Sequence, residues 1–315
     1  MKLEEHISYM GWPNCLRLSN SEIEIIVATD IGLRILRLGF IGGQNILYLS
    51  PEDKGKQGGD TWRIYGGHRL WHAPEAIPRS YSPDNKPITY RYDQQTLKIT
   101  QPVEESTGIV KEMEVSLSPD LNQITVLHRL INQNLWDIKS SAWALSALAP
   151  QGRAIIPQEP YGEGDAYLLP ARSLALWSYT TMKDPRWIWG NKYIQARQDP
   201  LLSSEQKIGV LNKQGWTAYC LNEDLLIKVF AFDPAADYPD FGSNQETYIN
   251  GNFLEMETLG PLVNVPPQGK TEQVEYWQLS KAKIGDTDEA IARDLMPRVS
   301  FFQDFISNLK KMECA

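Results

Sequence analysis

The chain has 315 residues, with 31 Lys and Arg against 39 Asp and Glu, a formal charge of −8. Its basic residues are scattered, so nucleic acid and anionic membranes are excluded as expected partners, and no apolar run reaches the roughly 18 residues that cross a bilayer. Met1-Lys2-Leu3-Glu4-Glu5-His6 leads into no apolar signal core, and Cys15, Cys220 and Cys314 are too few and too distant for a disulfide framework or zinc cluster; the expected compartment is the cytoplasm.

In chain order, strand patterns come first. Glu22–Val27 and Leu33–Leu38 alternate around a Thr29-Asp30-Ile31-Gly32 turn, followed by 88–92, 97–101, 109–117, 124–131 and 138–148. Later runs are 174–179, 193–197, 216–221, 225–232, 252–259 and 272–279. Helical spacing enters only at 286–295 and 299–311, broken at Pro297. Many short strands without alternating helices imply antiparallel sheets packed face to face. The expected fold is all-β, one large antiparallel β-sandwich over residues 1–285, with a short C-terminal helical tail over 286–315 packed on it.

Three stretches depart from ordinary strand and read as long loops: 58–78, 157–170 with Glu163 and Asp165, and 233–252. The chain carries 10 Trp and 14 Tyr against 8 Phe, and flat rings with a polar edge suit sugar faces as well as strands.

Two segments carry a resemblance. Gly66-Gly67-His68-Arg69-Leu70-Trp71-His72-Ala73-Pro74 resembles the Gly-Gly-to-Pro loop of hexose mutarotase relatives. Phe253-Leu254-Glu255-Met256-Glu257-Thr258-Leu259-Gly260-Pro261, with Pro266-Pro267-Gln268-Gly269, resembles their late catalytic strand and the turn after it. The likeness to the galactose mutarotase-like (aldose 1-epimerase-like) superfamily implies a supersandwich that acts on the anomeric centre of a free aldose. It implies Glu257 as the catalytic base. The family's mid-chain catalytic His is absent, and Trp143 stands in the corresponding Ser140–Leu145 segment.

Anomer exchange needs a base for the anomeric hydroxyl and an acid for the ring oxygen. Glu255 and Glu257 share one strand face, an expensive placement without a partner or a task. His68 and His72 are the candidate acids. Alternation would put them with Leu70 on one side and Arg69 with Trp71 on the other, a rule that a loop need not obey. His128 reads as an interior histidine. Arg69, Trp71, Glu75, Trp143, Lys228, Asp240 and Glu255 are the candidate sugar-binding residues. His68 and His72 lack the third ligand and the His-Glu-x-x-His pattern of a metal site, and no nucleophile or phosphate-loop motif occurs, so neither metal nor cofactor is expected. Three readings stay open, all with a monosaccharide or oligosaccharide end as ligand: an aldose 1-epimerase-like isomerase, a non-catalytic sugar-binding protein, and a glycoside hydrolase or lyase. For the last, a loop acid such as Glu75, Asp165 or Asp240 would have to face Glu257, because side chains at i and i+2 share a side.

Overall fold

The computed structural model describes residues 2–160, 162, 164 and 168–313; Glu163, Asp165 and Cys314 lie outside them. Among the described residues, the strands form an eleven-stranded and a ten-stranded sheet, antiparallel throughout. The first sheet opens with a meander of Lys2–Tyr9, Trp12–Ser19, Ile23–Ala28 and Arg34–Phe40. It continues through His68–Ala73, Ile138–Leu148, Leu254–Leu259, Gln245–Ile249, Gln206–Val210 and Leu174–Leu176, with Val263–Val265 beside Ile138–Leu148. The second sheet centres on Trp216–Leu221, Asp224–Phe230, Lys270–Lys281, Gln123–Asn132 and Ile109–Leu117.

Alternation sorts each strand between two environments. Leu254 and Met256 join the core between the sheets, where Val126, Leu226, Trp277 and Leu279 meet them from the opposite sheet. Leu225 and Ile227 point the other way and pack with Ile155 and Trp216 against the tail. That tail is two helices, Asp288–Asp294 and Met296–Glu313. Thr287 caps the first, its hydroxyl accepting from the Ala290 N–H at 3.2 Å, with Asp288 and Glu289 in the first turn. Ile291, Leu295, Val299, Phe302 and Ile306 bury against the second sheet's outer face, stabilising by roughly 1.5–3 kcal/mol per side chain. Pro297 sits in the first turn of the second helix, where its missing N–H is harmless. Among the described residues no helix is long and apolar enough to cross a membrane.

The structure corrects the loop reading of 58–78. Residues His68–Ala73 form a central strand, paired with Arg34–Phe40 on one side and Ile138–Leu148 on the other. Gly66 and Gly67 make its entry possible. Their φ values are +90° and +76°, and a Cβ would lie 2.2 Å from the Tyr48 carbonyl oxygen and 2.4 Å from that of Ile35. Within 233–252, Gln245–Ile249 is also a strand. The expected strand 174–179 ends at Leu176, and a turn closed by Thr180 N–H to the Trp177 carbonyl follows.

Candidate functional site

A cavity of about 470 Å³ opens on the outer face of the first sheet, the face turned away from the inter-sheet core. Strand register builds its floor. Trp71 and Trp143 are cross-strand partners, and their rings meet edge-on at 5.5 Å. Trp62 and Tyr81 close on Trp71 at 5.6 and 5.3 Å, so four rings form one edge-to-face cluster. Trp177, Tyr179, Tyr248 and Phe253 line the remaining wall.

Two cations enter this aromatic lining, each held by carboxylates. Arg69 lies 4.7 Å over the Trp71 ring, and its Nη1 is 3.0 Å from Glu255 Oε1. Lys207 sits between Trp143 and Trp177, 4.6 and 4.8 Å from their ring centres. Its Nζ pairs with Glu246 Oε2 at 2.7 Å and Glu257 Oε2 at 2.9 Å. The Trp143 indole N–H donates to the same Glu257 oxygen at 2.8 Å. Burial works against the charge of Lys207, yet Glu246 and Glu257 outweigh it and hold the ammonium well above its ordinary value. The two carboxyls share that one cation. Burial pushes both upward, Lys207 pulls both down, and the upward direction wins. Glu257 Oε1 and the Trp71 indole N–H are buried without a protein partner.

Of the residues singled out from the sequence, Arg69, Trp71, Glu75, Trp143 and Glu255 line this cavity. Glu257 lies directly behind the lining, fully buried, reached through Trp143 and Lys207. His68 and His72 are corrected: strand alternation turns them to the inter-sheet side, where they are 0% and 1% exposed, and neither lines the cavity. His72 Nε2 is 3.2 Å from Glu104, a carboxylate that burial pushes up but Lys111 and His72 draw down to about 2. His68 joins a polar chain between the sheets. Its Nδ1 is 2.7 Å from Ser146 Oγ, and its Nε2 is 2.6 Å from His128 Nε2. His128 Nδ1 donates to the Gln273 carbonyl at 3.0 Å, which leaves its Nε2 to accept from His68.

Lys228 is a second correction. It is fully buried in the same inter-sheet chain, bonded to Ser146 Oγ at 2.7 Å and to Glu275 at 3.0 and 3.1 Å. Its phase with Leu226 and Phe230 sends it there, and Glu275 supplies the countercharge. Asp240 is the third. It lies in the short turn Pro239–Gly242 outside the cavity lining, although its charge adds to the upward push on Glu246. His68, His128 and Glu275 come within 4.8 Å of one another, but the Lys228 ammonium already occupies the Glu275 carboxylate, and the imidazoles are bonded to each other. Burial lowers His68 far below its ordinary value and takes His128 down to about 4, so both are neutral.

Lys207, Trp62, Trp177, Tyr179, Tyr248 and Glu205 are lining residues that sequence reasoning did not single out. What marks Lys207 is a sheet pairing, with Glu246 opposite Gly209 two residues along the five-residue strand, and the sequence alone does not contain it.

Two stacked antiparallel sheets, helices on one outer face and a ringed cavity on the other, define a β-supersandwich. No family model and no curated protein matches the sequence. Solved structures do match the fold. A galactose mutarotase-like protein from Lactobacillus casei shares 8% identity over 84% of this chain and 100% of its own, with a TM-score of 0.56. A galactose mutarotase-like protein from Clostridium acetobutylicum shares 11% identity over 89% and 98%, with a TM-score of 0.55. A TPR-domain containing protein from Parabacteroides distasonis reaches 0.59 at 16% identity over 86% of this chain, which spans about half (48%) of that larger protein. The chain has the galactose mutarotase-like fold.

Proposed function

We propose that the chain binds a carbohydrate, a monosaccharide or the exposed end of an oligosaccharide, in the cavity on the first sheet's outer face. One observation carries this reading. Indole and phenol rings share a cavity of about 470 Å³ with polar groups fixed by their own ion pairs, a size within the usual range of about 300–1,000 Å³ for small-molecule sites. Rings offer faces to sugar C–H groups. Arg69, Lys207, Glu255, Asn250 and the Trp71 N–H offer hydroxyls directional partners with no rotamer freedom left to lose.

Binding without catalysis is the favoured form, because both candidate imidazoles lie behind the sheet. Anomer exchange is a second reading, favoured by Glu257 alone. Its carboxyl is buried, pushed up by that burial, and has a free Oε1, as a general base requires. The cation beside Glu257 is Lys207, and two carboxylates hold its proton tightly, which makes it a poor acid for the ring oxygen.

Tryptophan fluorescence titration with a panel of free aldoses, run beside NMR measurement of anomer exchange, tests both. The binding reading expects saturable quenching with exchange at the uncatalysed rate. Accelerated exchange that falls about 10²- to 10⁴-fold in Glu257→Gln would establish the second reading instead. Absence of saturation by any aldose or short oligosaccharide defeats both.

A further inference from the structure

The charges of the cavity are unequal, and their arrangement is specific. Among the described lining residues the cations are Arg69 and Lys207. Each is already matched: Arg69 by Glu255 at 3.0 Å, Lys207 by Glu246 and Glu257 at 2.7 and 2.9 Å. A ligand phosphate or carboxylate would therefore find no cation without a buried carboxylate already beside it, and would have to settle next to that like charge.

Two more lining carboxylates, Glu75 and Glu205, are exposed at the mouth. Neither forms an ion pair among the described residues. Each instead accepts a tyrosine hydroxyl, Glu75 from Tyr81 and Glu205 from Tyr248 at 3.0 Å. Those bonds aim the carboxylates without neutralising them. Both acids act on one point, the Tyr179 hydroxyl. Burial raises that group, Lys207 opposes the rise, and Glu257, Glu75 and Glu205 add to it. A ligand resting on the rings thus meets matched charge beneath it and two unmatched anions at the entrance. The buried Trp71 N–H, on a lining residue 4% exposed, independently calls for a ligand acceptor such as a hydroxyl.

We propose that this site selects a sugar bearing a cationic amino substituent over its neutral parent, and rejects sugars bearing a phosphate or carboxylate. The inference rests on carbohydrate binding and adds the charge class of the ligand. The ammonium would lie at the mouth between Glu75 and Glu205, and the ring would rest on the indole faces.

The test uses the full chain and the neutral, 2-amino, uronate and phosphate forms of glucose and galactose, titrated at about 10 mM and about 500 mM salt. Two partly solvated carboxylates several ångströms from an ammonium favour it about five- to tenfold at low salt, and screening erodes most of that at high salt. The expected order is amino, then neutral, then anionic, with the amino-to-neutral ratio falling close to one in Glu75→Gln/Glu205→Gln. An anionic sugar binding as tightly as its neutral parent overturns the inference, and so does an amino preference that survives in the double variant. If no sugar saturates, carbohydrate binding itself fails, and charge selection is read separately with ethanolamine and inorganic phosphate. A saturable response to ethanolamine alone then upholds it; a response to phosphate, or to neither, overturns it.

Discussion

Replacing Lys207 with Met would remove the one ammonium that two buried carboxylates share. Glu246 is 1% exposed and Glu257 0%, and their Oε2 atoms lie 2.7 and 2.9 Å from Nζ. Met fills similar volume between the Trp143 and Trp177 rings, so packing is largely kept and the loss is electrostatic. Breaking a buried pair from one side costs about 3–5 kcal/mol, because the partner stays behind uncompensated. Here the loss should depend on pH in a particular direction. In the variant, Glu246 and Glu257 must carry protons when folded, whereas in the unfolded chain they ionise near the ordinary carboxylate value. Their folded pKa is raised, so stability falls as pH rises between the two values, by about 1.4 kcal/mol per pH unit for each carboxyl. Urea unfolding followed by circular dichroism from about pH 5 to about pH 8 would show a small deficit at the acid end and the largest at the alkaline end. Adding Glu246→Gln and Glu257→Gln to Lys207→Met should flatten the profile and recover most of the loss. A Lys207→Met protein as stable as wild type at about pH 8, or one with a deficit independent of pH, would refute the shared-ammonium account.

Three further expectations follow from the same geometry. His128→Gln keeps a donor for the Gln273 carbonyl and an acceptor for His68 but cannot titrate; since burial takes His128 from 6.5 to about 4, wild type should lose about 3 kcal/mol more than this variant as pH falls through that interval, and parallel urea profiles would disprove it. Gly66→Ala places a Cβ 2.2 Å from the Tyr48 carbonyl at φ +90°, so thermal unfolding should show a loss of about 2 kcal/mol or more, and an unchanged melting temperature would contradict it. Trp71→Ala should weaken sugar binding by tenfold or more, whereas Trp136→Ala, at a residue 64% exposed and outside the cavity lining, should leave the titration curve in place; equal effects would remove the cavity from consideration.

Much of this fold was legible because alternation is a local property. The runs 109–117, 138–148, 193–197 and 216–221 coincide with strands Ile109–Leu117, Ile138–Leu148, Tyr193–Arg197 and Trp216–Leu221. What escaped depended on partners distant in sequence. His68–Ala73 has no β-branched residue and follows two glycines, so it reads as loop until strands on both sides supply its hydrogen bonds. Lys2–Tyr9 is charged and has no buried residue, an edge strand with little apolar pattern to find. The cavity was half legible. Glu255 and Glu257 stood out as acids on an apolar strand, and Trp71 and Arg69 as an aromatic–basic pair. Lys207 did not stand out, because its countercharges lie 39 and 50 residues away in sequence, and only the sheet brings them together. Trp177 and Tyr179 reach the cavity because a turn replaces the expected end of their strand, a departure that no period-2 pattern contains.

The strand His68–Ala73 separates residues by odd and even number. Odd positions 69 and 71 turn a guanidinium and an indole to the cavity; even positions 68 and 72 turn imidazoles to the interior between the sheets. Parity of this kind makes the site indivisible under insertion or deletion. Slipping the strand by one residue would exchange the two sets in a single step, pressing Arg69 and Trp71 into the core and turning His68 and His72 outward. The close backbone approach at Gly66 and Gly67 pins the strand's start, so such a slip also breaks its entry. An ancestor or descendant in which this strand gives the cavity an imidazole is therefore reached by substituting one of the strand's odd-numbered positions, never by sliding the histidines already present. The strand's cavity-lining positions are 69 and 71, which ties a gain of imidazole chemistry from this strand to the loss of an ion pair or of an indole ring.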